Sequence, residues 1–534
     1  MDGNPYVSTT GDNDEISSQG LAYLSRLVTD PTGQVYAFKA GSDPVTAAAA
    51  MARLSRSPDD LRMIILKEFA GTDEAQAAAL LKRVITAYGD DSVQQLVGVH
   101  VVVEGASNWL TKALEWGRFG SYLEQSTRYI YFDQTDAKGN YRFYTPDGLG
   151  PAIAETYHAT MTRIFTRYSA MVRTLTAFVR YNNPLVSGDD EGAWKAATRA
   201  QACDAVRTVL PVATRSTVGI FGSAQALDNL VMHLLSLEME EARRVGVAIY
   251  EQVRQVIPAF MERTMKPERG LATVAYKAAT RANLVQFVRH NVGLAVMPST
   301  SDVTLVDYWP RDENDLLPEF MFASSGQPLA ELRRTAALLP DALRTELWDT
   351  MLNGRLNRRH RPGRALEKAH YEFEVTGDYG TFRDLQRHRV IDALEWQRLT
   401  PALGYDVPSL VQEAGQSADF AACFADSVAL YRLMHDSGLV DEAQYAVLMG
   451  HRMRYRFVLN ARAAYHFLEL RTSPQGHPGY RRIGRLMHEA IAAVHPQIAA
   501  GMAFVNRSDM DGELTRLAAE RATAYRLRQL GNMP

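Results

Sequence analysis

The chain has 534 residues, more than one ordinary domain holds, so two or three cores are expected. Its 46% hydrophobic and 22% charged residues exclude a disordered chain. Fifty-eight basic against 61 acidic side chains, a net charge of −3, exclude a protein whose main partner is nucleic acid or an anionic membrane. Any anion is therefore gripped locally, and the basic residues are mostly Arg, whose planar fork grips phosphate and carboxylate bidentately. Two cysteines, Cys203 and Cys423, exclude a disulfide framework and a Cys-rich zinc site. Both lie in apolar helical surroundings and are expected to be buried, inert thiols of a reducing compartment. The polar, acidic start and the lack of a long apolar run lead us to expect a soluble, cytoplasmic protein without a metal site.

Apolar residues recur at three- and four-residue spacing over residues 44–70, 73–87, 151–181, 224–265 and 327–353, which predicts helices. Shorter β-like runs at 34–38, 128–132 and 303–308 predict a minority of strand. The class is α+β, mostly helical.

Compared with itself, the chain repeats. Arg243, Arg244 and Gly246, followed by Glu251, Val256 and Pro258, recur as Arg481, Arg482, Gly484, Glu489, Val494 and Pro496, each offset by 238. Arg118, Leu123 and Glu124 match Arg389, Leu394 and Glu395 at an offset of 271. An insertion in the first half near residues 182–197, where Asn183-Pro184 and the Gly188 to Gly192 run read as loop, absorbs the difference. Two halves are expected, residues 1–295 and 296–534, with connecting loops at 297–302 and 310–315.

Four groups of residues could carry chemistry. Glu124, Ser126 and Arg128 alternate, so on an extended segment a carboxylate, a hydroxyl and a guanidinium share one face, either a phosphate site or a solvated strand face. Arg387-His388-Arg389, flanked by Arg383 and Arg398, is a cationic cluster suited to a diphosphate if it faces a cleft, and otherwise a solvated helical face. Asn460, Arg462, His466 and Arg471 lie in a probable helix ending near Leu470, with Arg462 and His466 four apart and so adjacent. Arg207 precedes an apolar turn and Pro211. The G-x-G-x-x-G, Walker, H-E-x-x-H and C-x-x-C patterns are absent, which removes the residues that Rossmann, P-loop and common zinc hydrolase readings require.

Together these groups resemble the flavin-dependent thymidylate synthases, whose signature runs Arg-His-Arg, two residues, Ser, one residue, Asn-Glu, one residue, Ser, one residue, Arg-Tyr. The first half holds Arg118, Ser121, Glu124, Ser126, Arg128 and Tyr129 in register, with Trp116, Gly117 and Leu123 as departures. The second half holds Arg387, His388, Arg389 and Glu395, with Asp392, Leu394, Gln397, Leu399 and Thr400 departing. Downstream the first half keeps Arg207 but has Ser223, Gln225 and Leu234 at later positions, whereas the second has Gln444 and then Asn460, Arg462 and Arg471. Glu367 matches the Glu of the family's Glu-His pair, with Lys368 replacing the His. The resemblance spans roughly residues 30–265 and 300–505, and each half keeps what the other has lost.

The resemblance implies two tandem synthase-like domains, each with a small antiparallel sheet, and reductive methylation of dUMP to dTMP with FAD, NADPH and methylenetetrahydrofolate. By carry-over, Ser126, Arg128 and Arg471 hold the nucleotide phosphate, Glu124 its polar edge, and Arg207 the pyrimidine and its developing charge. Arg387, His388, Arg389, Asn460, Arg462, His466 and Glu367 hold FAD. A homodimer would rebuild the four-lobed assembly of the family. A methylase of UMP or another pyrimidine nucleotide, and a flavin- or nucleotide-binding paralogue without chemistry, are the alternatives that these residues leave open.

Overall fold

A computed structural model of the chain describes residues 4–10, 13–54, 57–70, 93–187, 190–299, 301–508 and 517–518. The chain packs as two compact units that are discontinuous in sequence. One comprises Met1–Glu104, Ala113–Glu124 and Thr217–Gly293, and the other Gly105–Lys112, Gln125–Ser216 and Leu294–Pro534. Packing therefore groups the chain differently from the repeat, and the division at 295/296 remains a proposal about sequence relatedness.

The repeat is visible in topology. Strands β1 (Val7–Thr10) and β2 (Asn13–Ile16) form a hairpin of their own. A three-stranded sheet has the order β3 (Gly98–Ser107), β5 (Arg215–Ser223), β4 (Ser121–Glu124). The second sheet, in the order β6 (Val303–Trp309), β7 (His370–Asp378), β9 (Arg452–Asn460), β8 (Ala393–Trp396), repeats that arrangement with one added edge strand. The helices after these strands repeat as well: Ala224–Leu235 and Glu240–Val256 correspond to Ala461–Arg471 and Pro478–Val494. The caps follow suit, since Ser223 accepts from the Ala226 amide at 3.2 Å and Asn460 from the Ala463 amide at 2.9 Å, each satisfying a donor that a helix start leaves orphaned.

Sequence chemistry explains the elements. On β9, Met453, Tyr455, Phe457 and Leu459 are buried while Arg452, Arg454 and Arg456 alternate on the other face, the period of two that a half-buried strand requires. On β7, which pairs with β9, Tyr371, Phe373 and Val375 are buried, and Glu372 meets Arg456 at 2.8 Å. Each fully buried aromatic of this face contributes about 2–3 kcal/mol of transfer free energy. The helix Pro151–Asn182 opens with proline, which loses no bond there, and buries Tyr157, Met161, Ile164, Phe165, Tyr168, Val172 and Leu175 along one stripe.

Several local expectations change. The 44–70 stretch is broken into Pro44–Leu54, Leu61–Ile64 and a π-helical Ile65–Phe69, and the helix expected at 73–87 lies outside the described residues. The 224–265 and 327–353 stretches are each interrupted, the latter at Leu339 and Pro340, because the residue before proline disfavours helix. Residues 34–38 form only an isolated bridge between Phe38 and Val28, and residues 128–132 are turn and coil, while 303–308 is strand as expected. Where the insertion in the first half is expected, near residues 182–197, a further helix begins, Glu191–Val206, capped by Asp190 through the Ala193 amide at 2.7 Å. Among the described residues, no helix is long and apolar enough to cross a membrane.

Candidate functional site

In the second unit one cleft of about 400 Å³ is lined by Glu367, Arg387, His388, Arg389, Asn460, Arg462 and His466, together with Arg471. Four local elements deliver them. The Arg-His-Arg triplet follows the C-terminus of the helix Tyr379–Gln386, where exposed carbonyls and the helix dipole favour cations. Asn460 ends β9, and its side-chain oxygen is spent on the cap, which leaves its NH2 as the ligand-facing donor. Arg462 and His466, four apart, lie on one face of Ala461–Arg471, and Arg471 closes that helix. Glu367 comes from the 3₁₀ turn Arg364–Lys368 and accepts from Arg462 at 3.1 Å, while Arg462 Nε donates to the Pro362 carbonyl at 3.0 Å. The bond from Arg364 above all, with the Arg364 and Arg462 charges, holds the Glu367 carboxyl below its ordinary range against the opposing effect of burial.

His388 is a neutral imidazole here. Arg471 Nε donates to its Nε2 at 2.7 Å, so that nitrogen carries no proton, and burial, then the Arg471 and His466 charges, push its pKa well below the ordinary histidine value. Phe467 packs on the ring at 4.5 Å between centroids. Burial, then the Arg361, Arg358 and Arg471 charges, depress His466 in the same direction.

Beyond Arg471 the cleft meets a locus of guanidinium groups, of which those of Arg128 and Arg207 are buried. Arg207, 2% exposed, donates to Asp384 at 3.0 Å and to the Gly380 carbonyl at 3.3 Å, and its Nε has no hydrogen-bond partner among the described residues. Arg387 lies 3.8 Å from the same carboxylate. Burial alone would raise the Asp384 pKa, but the Arg207, Arg387, Arg128 and Arg471 charges overcome it and hold the carboxyl far below the ordinary range. Arg128 is gripped along one edge by Asp204, at 2.6 and 2.7 Å, and its Nη1 donates to the Tyr480 hydroxyl at 3.2 Å. Four cations thus gather about Asp384 with Asp204 as the second carboxylate, an arrangement that attracts a compact dianion.

Ser126 and Arg128 do not share a strand face. β4 ends at Glu124 and Ser126 opens a turn, its hydroxyl accepting from the Arg128 amide at 3.2 Å, because a serine hydroxyl competes locally for a backbone N–H. Glu124 is buried in the first unit, whereas Ser126, Arg128, Arg207 and Arg471 belong to the second. The expected alternation of carboxylate, hydroxyl and guanidinium is therefore replaced by a turn that aims Arg128 at Asp204. Arg128 and Asp204 also line a second cavity of about 420 Å³, with Thr376, Arg452 and Arg481 among its walls. Sequence reasoning missed Asp204, Asp384 and Tyr480. Asp384 sits three residues before Arg387 and Tyr480 beside the repeated Arg481-Arg482 pair, so both lay next to marked residues. Asp204 sits three residues before Arg207, as Asp441 sits three before Gln444 in the second half, so it too lay next to a marked residue. Cys203 and Cys423 are buried, and burial pushes each thiol up to about 12, so neither is a thiolate near neutral pH.

Two stretches, residues 38–259 and 304–497, match the model of the family described as thymidylate synthase complementing protein. A UPF0159 protein of Chlamydia muridarum is 31% identical over 525 residues, covering 95% of this chain and 98% of the relative. A UPF0159 protein of Thermoplasma acidophilum is 29% identical over 504 residues, covering 89% and 98%. Among solved structures, a UMP/dUMP methylase PolB of Streptomyces cacaoi bound with 5-Br dUMP is 19% identical, covering 40% of this chain and 99% of its own, with a TM-score of 0.31. The flavin-dependent thymidylate synthase ThyX of Helicobacter pylori, complexed with FAD and dUMP, is 18% identical, covering 39% and 98%, with a TM-score of 0.28.

Proposed function

The chain belongs to the thymidylate synthase complementing protein family, represented twice along its length, and on that premise we propose that it is a flavin-dependent thymidylate synthase that methylates dUMP to dTMP. The observation that carries the reading is the single cleft on which all seven second-half residues expected to hold FAD converge, with Arg471 at its edge. Its donor set suits that group: Arg387, Arg389 and Arg462 are cations for a pyrophosphate, Asn460 offers an amide NH2, and Glu367 offers an acceptor. Bound there, FAD supplies the hydride chemistry, and the protein supplies position and charge.

Arg471 and Arg128 take the nucleotide phosphate. Asp204 occupies the Nε and Nη2 edge of Arg128 and the Tyr480 hydroxyl takes one Nη1 hydrogen, so the hydrogens left on the two terminal nitrogens are those offered to an anion. Ser126 joins them from the turn. Arg207 faces the uracil carbonyl, where enolate-like charge develops as C5 becomes nucleophilic, and its unpartnered Nε is a buried donor of the kind that stabilises such an oxygen. The two protonated thiols accord with a route that uses no cysteine nucleophile. The same reading takes NADPH as reductant, methylenetetrahydrofolate as the carbon source, a cytoplasmic setting and a homodimer as the working assembly.

The test is the visible spectrum of the purified protein, followed under anaerobic conditions by addition of NADPH with and without dUMP. Flavin bands that bleach faster with dUMP are expected. A protein that takes up no FAD, or whose flavin responds identically to UMP and dUMP, removes the assignment.

A further inference from the structure

Tyr480 is 5% exposed on the helix Pro478–Val494, and its ring has a guanidinium group on it from each half of the chain. Arg471 lies 5.1 Å and Arg128 5.8 Å from its centroid, both within cation–π range. The hydroxyl also accepts from Arg128 Nη1 at 3.2 Å. Asp204 anchors Arg128 and His388 anchors Arg471, and a ring whose electron-rich surface both can share offsets part of the repulsion between the two charges and sets how near together their free edges lie. The loop before the helix is built for this ring. A Cβ at Gly476 would sit 2.7 Å from Tyr480 Cε2 and 2.9 Å from the Ser473 carbonyl, so no other residue fits there without moving the ring. His477 caps the helix by accepting from the Gly479 amide at 3.0 Å, which fixes the turn from which Tyr480 projects.

We infer that Tyr480 is a positioning residue that makes the site selective for phosphorylated nucleotides over nucleosides, by holding Arg128 and Arg471 at the spacing of one phosphate. The inference rests on the nucleotide reading above and adds a residue to which no role has been given. Tyr480 does not touch the nucleotide. It acts through the two arginines, and its removal lets them part without removing either charge.

The experiment titrates wild type, Tyr480→Phe and Tyr480→Leu with dUMP and with deoxyuridine, and follows flavin absorbance as a check that the cleft is intact. Wild type is expected to prefer dUMP. Tyr480→Phe, which keeps the ring and loses one bond to a charged donor, is expected to bind dUMP about threefold more weakly, and Tyr480→Leu, which loses both, about tenfold or more. Deoxyuridine affinity and flavin content stay unchanged, which a general loss of structure would not produce. Wild-type dUMP preference in both variants overturns the positioning role while leaving the nucleotide reading in place. A wild type that does not distinguish dUMP from deoxyuridine overturns both. Should the leucine variant not fold, the isosteric phenylalanine variant decides alone.

Discussion

Replacing Asp384 with alanine tests the buried charge locus most directly. Its carboxylate accepts from Arg207 at 3.0 Å and lies 3.8 Å from Arg387, and both it and Arg207 are almost wholly buried. Removing it leaves a guanidinium in the interior with its principal counter-charge gone, a change that costs about 3–5 kcal/mol, since the desolvation of the remaining ion is no longer offset. Asp384→Asn keeps an acceptor for Arg207 and loses only the charge, so its cost is smaller, about 1–3 kcal/mol. In a unit of this size Asp384→Ala corresponds to a fall of roughly 5 °C in the melting transition. Urea unfolding followed by circular dichroism measures it, with the denaturant slope checked for a changed unfolded state. Acid adds a second signature. A carboxyl held below its ordinary value contributes stability that is complete above about pH 4 and fades as pH falls toward its folded value, so the variant should lose part of the wild-type acid sensitivity. In a double-mutant cycle, Arg207→Gln with Asp384→Asn should cost less than the two changes added, because each single change strands a partner. If Asp384→Ala lies within about 1 kcal/mol of wild type, the cluster is not the coupled buried group described here.

Arg207→Ala is expected to abolish thymidylate formation while flavin stays bound, and wild-type turnover in that variant would remove its role at the pyrimidine. Gly476→Ala forces a contact on Tyr480 and the Ser473 carbonyl, so a loss of about 1–3 kcal/mol of stability together with weaker dUMP binding is expected, and unchanged dUMP affinity would show that the ring position does not matter. His388, neutral and depressed, should show no imidazole titration by NMR between pH 8 and about pH 6.5, the ordinary histidine value. Below that value the unfolded chain takes up a proton that the folded one refuses, so His388 lowers stability as pH falls, and a normal titration curve would refute the neutral-acceptor assignment.

The locus joins residues of both halves within one packed unit. Arg128 and Arg207 come from the first, and Asp384, Arg387, Arg471 and Tyr480 from the second. This suits the complementary losses in the two signatures. The first half keeps Arg207 but has Ser223 and Gln225 downstream, where the second half has Asn460 and Arg462.

What the amino-acid order determined by itself is what depends on neighbours a few residues apart. The 238 offset foretold paired helices, and the bond-forming side chains at helix starts recur as Ser223 and Asn460 because capping is a local affair. Arg462 and His466 share the cleft because four residues make one helical turn. Resemblance supplied the rest of the cleft's membership, which spacing alone left as open as a solvated helical face. Tertiary structure decided what those residues meet. The strand expected at 128–132 became a turn, since Ser126 captured the Arg128 amide and Arg128 was drawn into burial against Asp204, 76 residues away. Arg207 reaches Asp384 across 177 positions and Arg128 reaches Tyr480 across 352. No periodicity or motif encodes such distances, because they arise from two helices and a sheet excluding water around charges that must then find one another.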